Sequence, residues 1–373
     1  NHRVVTPPVE RLQDVEYQLA RATRRLLELR PPQRIGLAQG SGEPDLLNSP
    51  LAKRLEAEGT LVPINLDGES IEDEVDLLLL LGATQSYGER ARWVIDRLLC
   101  DGGSVVIALD HRQQSELFTK VWSPRPTGLE PLLKRYGVEV KRQWVIADPE
   151  HPAPAPLLRD AHDQVVFTPH PLYPMTKSSL HPITVALSEL VVPMSPLFNL
   201  PDQAIVLAHS EPSAVALKSL KSLTISEAEE SLSAPQGFPV AFALEMTLES
   251  CLKRPHQAGV ESKHLPSSLD GLEESEEMRA GREKARLVMI GSGRRLLSAS
   301  PKGLEFVMNS LAWARGDESL LRLKQRRVTR PKLSLSLGEQ RFIQWGAAIL
   351  PCLLIALLSL WIRRPRDHSS PSS

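Results

Sequence analysis

The segment between Arg341 and Arg363 contains no charged residue, and it constrains the chain more than any other feature. Leucine, isoleucine and alanine dominate residues 342–362. About 20 apolar residues in a helix cross a bilayer core of about 30 Å. We therefore predict a transmembrane helix over 342–362 that anchors the rest of the chain to a membrane.

The residues in and around this segment suit a membrane anchor. Trp345 and Trp361 lie near its two ends, where indole rings favour the lipid–water interface. Pro351 is tolerated inside such a helix because neighbouring groups can satisfy the freed carbonyl. Arg363 and Arg364 follow, and the chain then ends in a polar tail. A buried core helix is the alternative interpretation, and the flanking arginines disfavour it.

Ahead of the anchor, short apolar runs alternate with amphipathic stretches. The leucine-rich run 75–81 is typical of a strand buried on both faces of a sheet. The predicted strands are 34–38, 61–65, 75–81, 104–109, 138–145, 204–208, 238–244 and 285–290, and the predicted helices are 14–29, 51–57, 89–99, 129–136 and 302–315. Strands that alternate with helices of about ten residues indicate parallel βαβ units with right-handed crossovers. The pattern predicts an α/β fold with a flavodoxin-like, doubly wound sheet.

Composition divides the chain into regions. Residues 1–150 form a first α/β region. Residues 151–320 form a second, and its start, from 151 to 201, is rich in proline and histidine with few clear elements. Residues 253–284 have too few apolar side chains for a core, so we predict a mobile insertion there. The remaining regions are a basic juxtamembrane linker at 321–341, the transmembrane helix at 342–362 and a polar tail at 363–373.

Charge and cysteine content limit the function classes. The formal net charge of -1 gives no indication of a nucleic-acid partner. The three cysteines, Cys100, Cys251 and Cys352, are widely separated and indicate neither a disulfide framework nor a zinc site. The chain begins at Asn1 rather than Met, so we expect a preceding segment that carries a signal or a first anchor.

Two Gly-Ser-Gly sequences follow predicted strands. The first, Gly40-Ser41-Gly42, lacks the Gly-Lys-Ser/Thr ending of a phosphate-binding loop, and the dinucleotide-binding glycine pattern is also absent. We predict a tight turn there. The second, Gly291-Ser292-Gly293, precedes Arg294 and Arg295, so its amides and these arginines could face an anion. Ser292 and Arg294 are therefore candidate ligand-binding residues, with a plain turn as the alternative.

Asp110 and His111 are the other two candidate ligand-binding residues. They follow a predicted buried strand, and ligand sites of open α/β sheets gather at the carboxyl ends of the strands. An acid and an imidazole there could transfer a proton. Cys100 is predicted at a helix end rather than on a strand-to-helix elbow, and Ser210 lacks flanking glycines. The sequence therefore shows no complete catalytic constellation.

Histidines cluster in the proline-rich segment without the spacing of a metal site. They are His151, His162, His170 and His181. A zinc site needs a closer pair together with carboxylates or thiolates. We predict loop histidines, no metal and no cofactor.

An ordered series of segments resembles the GldG family, whose members are auxiliary components of ABC-type transport systems and are named for gliding motility. In the first half the resemblance lies in DVEYQLARATRR at 14–25, the GSGEPD that ends 34–45, the block 74–82, GGSVVIALD and TGLEPLLKRYGVEV. In the second half it lies in GFPVAFALE, ARLVMIGSGRRLLS and GLEFVMNSLAWARGDES, followed by the basic linker and the anchor. The series covers most of residues 14–366.

The resemblance implies a glutamine-amidotransferase-like fold without a catalytic triad. It also implies a non-catalytic role beside ABC permease and ATPase subunits on separate chains, at a bacterial inner membrane. The soluble body would face the periplasm. Charge does not decide this orientation, because the arginines at 363, 364 and 366 and the basic run at 322–332 point in opposite directions.

Two other functions remain open from the sequence. One is a cell-surface domain that binds a glycan or peptide, although four tyrosines and few other aromatics supply little for sugar stacking. The other, which we rank last, is an anchored hydrolase or amidotransferase that uses Asp110, His111 and a nearby serine or cysteine.

Overall fold

The computed structural model describes residues 19–20, 22–23, 33–68, 75–114, 122–159, 164–185, 187, 189–218, 236–248, 251–253, 284–318 and 321. All of them belong to a compact unit formed by residues 1–326. The described residues of the predicted helix 14–29 are helical. Nearly all of the predicted insertion at 253–284 and linker at 321–341, and the whole anchor with Trp345, Pro351, Trp361, Arg363 and Arg364, lie outside the described residues. None of the helices described has the length and apolar character needed to cross a bilayer.

Five parallel strands form one half of the main sheet. β1 (Arg34–Gln39) lies between β2 (Thr60–Asn65) and β3 (Leu77–Leu81), and β4 (Ser104–Ala108) lies between β3 and β15 (Ala285–Ile290). The order β2-β1-β3-β4-β15 is that of a flavodoxin-like sheet, in which the chain moves outward from β1 in both directions. The carboxyl ends of all five strands therefore meet at one edge.

The other half of the sheet is antiparallel. From β15 it continues through β14 (Pro239–Met246), β12 (Ile205–Ser210), β9 (Val165–Ser178) and β10 (Leu190–Val191), and β8 (Pro152–Arg159) pairs with β9. The described strands thus form a mixed sheet of ten, in which strands before and after residue 150 pair side by side. The predicted flavodoxin-like strand order is found in the parallel half, and the sequence did not predict the antiparallel half.

Two smaller sheets complete the fold. β7 (Glu139–Ala147) lies between β11 (Pro196–Asn199) and β13 (Val215–Leu217), all antiparallel, and β5 (Arg112–Gln114) pairs with β6 (Trp122–Pro124). The prediction of β7 as a strand is correct, but its place in a parallel sheet is not. Only its last three residues are fully buried, which does not suit a strand covered on both faces.

Helices cover both faces of the main sheet. They are α1 (Pro50–Glu56), α2 (Glu89–Cys100), α3 (Glu130–Arg135), α4 (Arg294–Ala299) and α5 (Pro301–Ala314). Leu77 and Leu79 of β3 pack in one core cluster with α1, α4 and α5, whereas Leu78 and Leu80 pack in a second cluster with α2 and α3. This double coverage explains why β3 consists of five buried leucines.

Most predicted elements are confirmed within a few residues. The confirmed strands are those predicted at 34–38, 61–65, 75–81, 104–109, 204–208, 238–244 and 285–290, and the confirmed helices those at 51–57, 89–99, 129–136 and 302–315.

The proline-rich region 151–201 is the clearest error of the sequence analysis. It contains β8 to β11 rather than few elements. Pro154 and Pro156 share one parity along β8, so their missing N–H groups fall on the same side of the strand. Because β9 is the single partner of β8 among the described strands, that side is a free edge, where proline is tolerated.

Candidate functional site

Four loops converge at the carboxyl edge of the parallel strands. Gly42 follows β1, Gly82 follows β3, Asp110 follows β4 and Arg294 follows β15. Since ligands of open α/β sheets bind at this edge, the contacts among these loops define the candidate site.

Asp110 joins the loop after β4 to the loop after β15. Its Oδ1 accepts a hydrogen bond from the backbone N–H of Gly293, and its Oδ2 accepts one from Arg294, both at 2.9 Å. The Arg295 Nη1 lies 3.9 Å from Oδ1. The Asp110 side chain is only 10 % exposed, so its carboxylate is largely committed to the protein.

Arg294 extends the same connection to the loops after β3 and β1. Its Nε donates to the carbonyl of Gly82 at 2.8 Å, and its Nη2 donates to the carbonyl of Gly42. The Gly40-Ser41-Gly42 turn is thus confirmed as a turn. Its last carbonyl is a fixed acceptor for an arginine rather than part of a phosphate loop.

The loops approach so closely that two positions require glycine. A Cβ on Gly293 would lie 2.6 Å from the Cα of Gly82 and 2.8 Å from the carbonyl oxygen of Ala108. Gly82 has φ +64, and a Cβ there would lie 2.5 Å from the Cγ of Arg294. The glycines therefore allow the backbone of β15 to reach that of β3.

Arg125, which follows β6, is a third connection at this edge. Its Nη2 donates to the carbonyls of Ala83 at 2.6 Å and of Asp110 at 2.5 Å, and its backbone N–H donates to His111 at 2.7 Å. The residue is 9 % exposed. Its Nη1 has no hydrogen-bond partner within the described part of the chain. Burial lowers the pKa of this guanidinium, and the nearby charge of Asp110 opposes that shift.

An open cavity of about 550 Å³ lies above these contacts. Its lining consists of Ala83, Thr84, Gln85, Asp110, Arg112, Gln113, Arg125, Arg294, Arg295 and Ser298. We call it the arginine cleft after its four arginines, 112, 125, 294 and 295. Asp110 is the single acidic residue in this lining, so positive charge exceeds negative charge by three.

Two of the predicted ligand-binding residues line the cleft and two do not. Asp110 and Arg294 face it. His111 and Ser292 are each 1 % exposed and do not appear in its lining. Burial and the neighbouring Arg112, Arg295 and Arg125 lower the pKa of His111 well below its usual value, so the imidazole is neutral.

No nucleophile contacts the Nε2 of His111 in the described part of the chain. Its Nε2 has no hydrogen-bond partner among the described residues. The Ser210 Oγ instead accepts a hydrogen bond from the Phe238 N–H at 2.9 Å at the end of β12, and Ser210 is a buried strand residue. Proton transfer between His111 and a hydroxyl or thiol nucleophile has no support in these contacts.

A serine, a histidine and an aspartate do meet elsewhere, in an arrangement that does not suit catalysis. The Ser213 Oγ lies 3.0 Å from both carboxylate oxygens of Asp148 and 2.9 Å from the Nδ1 of His151. In a hydrolytic triad the imidazole bridges acid and serine through its two different nitrogens. Here Nδ1 faces both residues, and Asp148 also accepts backbone N–H groups from residues 150 and 151. The cluster therefore stabilises a turn.

The cysteine prediction is wrong. Cys100, at the end of α2, forms a disulfide with Cys251, 151 residues later. Beside it the buried carboxylate of Asp96 accepts hydrogen bonds from the Tyr136 hydroxyl at 2.7 Å and the Leu252 N–H at 2.5 Å. Within the described residues, Asp96 and the two cysteines are also the one group whose ligand atoms lie close enough to hold a metal. Sequence separation carried no signal for this pairing, because folding alone brings these positions together.

A family model matches residues 32–300, and its description reads "ABC-type uncharacterized transport system". The chain belongs to this family of ABC transport auxiliary proteins. The matched region includes the four arginines of the cleft and both cysteines of the disulfide. It ends before the predicted transmembrane segment at 342–362.

Several solved structures match this family member at low sequence identity. The mmIFT52 N-terminal domain matches at 13 % identity and a TM-score of 0.43, over 76 % of this chain and 97 % of that one. A putative GMP synthase protein from Thermoplasma acidophilum matches at 12 % identity and a TM-score of 0.37, over 79 % and 99 %. A putative ThuA-like protein from Parabacteroides merdae matches at 10 % identity and a TM-score of 0.37, over 76 % and 90 %. No curated protein matches the chain.

Arg112 and Arg125 are the site residues that the sequence did not reveal. Arg112 was overlooked, but it lies two positions after Asp110, and this closeness to a predicted strand end could have identified it. Arg125 reaches the edge from β6, and no local pattern marks it. Its role depends on where the β5–β6 hairpin folds back in this family member.

Proposed function

We propose that the chain is a non-catalytic, membrane-anchored auxiliary subunit of an ABC-type transporter, with its α/β body as an extracytoplasmic interaction module. The observation that carries the proposal is the family match over residues 32–300. In this proposal, ATP hydrolysis and the translocation path belong to separate ATPase and permease chains. The more specific GldG relationship is part of the proposal, and it rests on the ordered segments of the sequence.

Two observations on the described residues support the non-catalytic part. The glycine turn after β1 contacts Arg294 instead of presenting a lysine to a phosphate. The Nε2 of His111 has no hydrogen-bond partner among the described residues.

The Cys100–Cys251 disulfide supports the extracytoplasmic part. Disulfides persist in oxidising compartments such as the bacterial periplasm and are rare in the cytosol. A bacterial inner-membrane protein with its body on the periplasmic side would have these cysteines oxidised. The anchor at 342–362 would then hold the body close to the permease.

Affinity purification from membranes in a mild detergent tests the transporter role. The full chain, tagged at its C-terminus, should recover an ATPase and a permease with several membrane spans. The matched control is the same chain with three leucines of the predicted anchor, 353, 354 and 357, replaced by arginine. These charges oppose insertion, so the control should lose both partners. Recovery of neither partner by the unaltered chain would overturn the proposed role.

A further inference from the structure

We propose that the arginine cleft binds a small, multiply charged oxyanion, one that carries phosphoryl or carboxylate groups. This inference goes beyond the transporter role, because that role assigns no ligand to the arginine cleft.

The first argument is charge. Four arginines and one aspartate line the cleft, and its other lining residues are uncharged. Glu130 acts on Arg125 from nearby, but its Oε1 accepts a hydrogen bond from the Thr127 N–H at 2.9 Å, and it does not line the cleft. A ligand with two or three negative charges would therefore balance the excess positive charge of the lining.

The second argument is preorganisation. Backbone carbonyls hold three of the guanidinium groups in place: Arg125 on Ala83 and Asp110, Arg294 on Gly82 and Gly42, and Arg112 on the carbonyl of Gln143 at 2.9 Å. A guanidinium has five N–H donors, so these contacts fix its plane and leave further donors. Planar groups held in this way suit the paired oxygens of phosphate and carboxylate.

The third argument is an unsatisfied donor. The Nη1 of Arg125 is buried and has no hydrogen-bond partner in the part of the chain that is described. A buried charged donor of this kind is costly unless an acceptor forms a hydrogen bond with it. Arg125 lines a cavity of about 550 Å³, which has room for a molecule such as pyrophosphate or citrate. An oxyanion in the cleft that reached this nitrogen would supply the acceptor.

A purely structural role accounts for only part of this arrangement. Arg294 and Arg125 do connect the loops at the sheet edge, as the contacts above show. Arg295 lies 3.9 Å from Asp110 and keeps 24 % of its side chain exposed at the cleft. This exposed part of the side chain is accessible to a ligand in the cleft, as an anion site requires.

Calorimetric titration of the full chain in a nonionic detergent at low ionic strength tests the proposal. The probes are inorganic phosphate, pyrophosphate and citrate, with sucrose as the uncharged control. We expect pyrophosphate or citrate to bind with a Kd below about 1 mM, more tightly than phosphate, and more weakly as salt is added. Preference for pyrophosphate would identify a phosphoryl ligand, and preference for citrate a carboxylate ligand.

Two variants and one matched control locate the binding. Arg295→Gln and Arg112→Gln remove a cleft charge from different loops, and each should weaken binding about tenfold or more. Arg97→Gln makes the same charge change near the end of α2, just before β4 begins, and therefore near the opposite edge of the sheet. It should change affinity less than about twofold.

Several outcomes would overturn the proposal. These are no binding of any of the three anions by the unaltered chain, unchanged binding in both cleft variants, or equal loss in Arg97→Gln. Since the titration uses no transporter subunit, none of these results bears on the proposed transporter role, which the purification tests separately.

Discussion

The Asp110 carboxylate accepts a hydrogen bond from the backbone N–H of Arg294 at 2.9 Å, across a separation of 184 residues. With the matching bond from Gly293, it joins the carboxyl ends of β4 and β15. The same residue supplies the one negative charge in the lining of the arginine cleft. Asp110 thus links the stability of the sheet edge to the charge of the candidate site.

Replacing Asp110 with asparagine should destabilise the fold. The amide keeps one acceptor oxygen, but it loses the charge and one of two charge-assisted hydrogen bonds to backbone N–H groups. We expect the free energy of unfolding, measured with denaturant, to fall by about 1–3 kcal/mol. Asp101→Asn is the control, because Asp101 is 53 % exposed and pairs with Arg97 at the surface. An equal loss in both variants would contradict the role assigned to Asp110.

Gly82→Ala should be far more harmful than Gly316→Ala. Both glycines have positive φ, +64 and +82, so each substitution strains the backbone by about 1 kcal/mol. At Gly82 the new methyl would also lie 2.5 Å from the Arg294 Cγ, whereas at Gly316 the nearest atom is 3.9 Å away. We expect an extra loss of about 2 kcal/mol at Gly82, measured as a lower denaturation midpoint. Similar midpoints for the two variants would show that the loops do not approach as described.

The sequence predicted those parts of the fold in which one residue pattern has one structural meaning. The leucine run of β3 is typical of a strand covered on both faces, and Asp110 could be placed at a strand end. The 14-residue β9 was not predicted, because a segment that contains Pro169, Pro171 and Pro174 is typical of a loop. Such prolines are tolerated where the strand lacks a partner on the side of the missing N–H, and pairing partners are not visible in a single sequence.

The candidate site shows the same limit. Arg294 was found because it follows a strand and a glycine turn, which are local signals. Arg125 was not found, because its position depends on the β5–β6 hairpin rather than on its neighbours in the chain. The disulfide was not predicted either, because the fold brings together two cysteines that are 151 residues apart in the chain.

Removing the Cys100–Cys251 disulfide should lower stability substantially. The bond closes a long loop, so in the loop-entropy description it restricts the unfolded chain strongly. We expect the double variant Cys100→Ser/Cys251→Ser to lose about 2–4 kcal/mol relative to the unaltered chain. Cys352→Ser serves as the control and should behave like the unaltered chain. If the double variant lost no more stability than the control, the disulfide would not be stabilising.

Thiol counting distinguishes the disulfide from a metal site on the same residues. In unfolded protein that has not been reduced, the disulfide leaves one of the three cysteines, Cys352, to react with a thiol reagent. A metal held by Asp96, Cys100 and Cys251 would instead yield three reactive thiols once the protein is unfolded with a chelator. Three thiols together with bound zinc would replace the disulfide interpretation and remove its support for an extracytoplasmic body.

Stability should depend on pH through His111. Burial, with the nearby arginines 112, 295 and 125, lowers its folded pKa well below 6.5, so the unfolded chain takes up a proton first as pH falls. The stability is full above about pH 6.5 and declines below it, by about 1.4 kcal/mol per pH unit for one proton. His111→Leu should lose this slope yet stay close to the unaltered chain at pH 8, because the imidazole Nε2 has no partner among the described residues. Denaturant midpoints from pH 8 to pH 5 measure the difference. Parallel curves for His111→Leu and the unaltered chain would show that His111 is not held neutral by its surroundings.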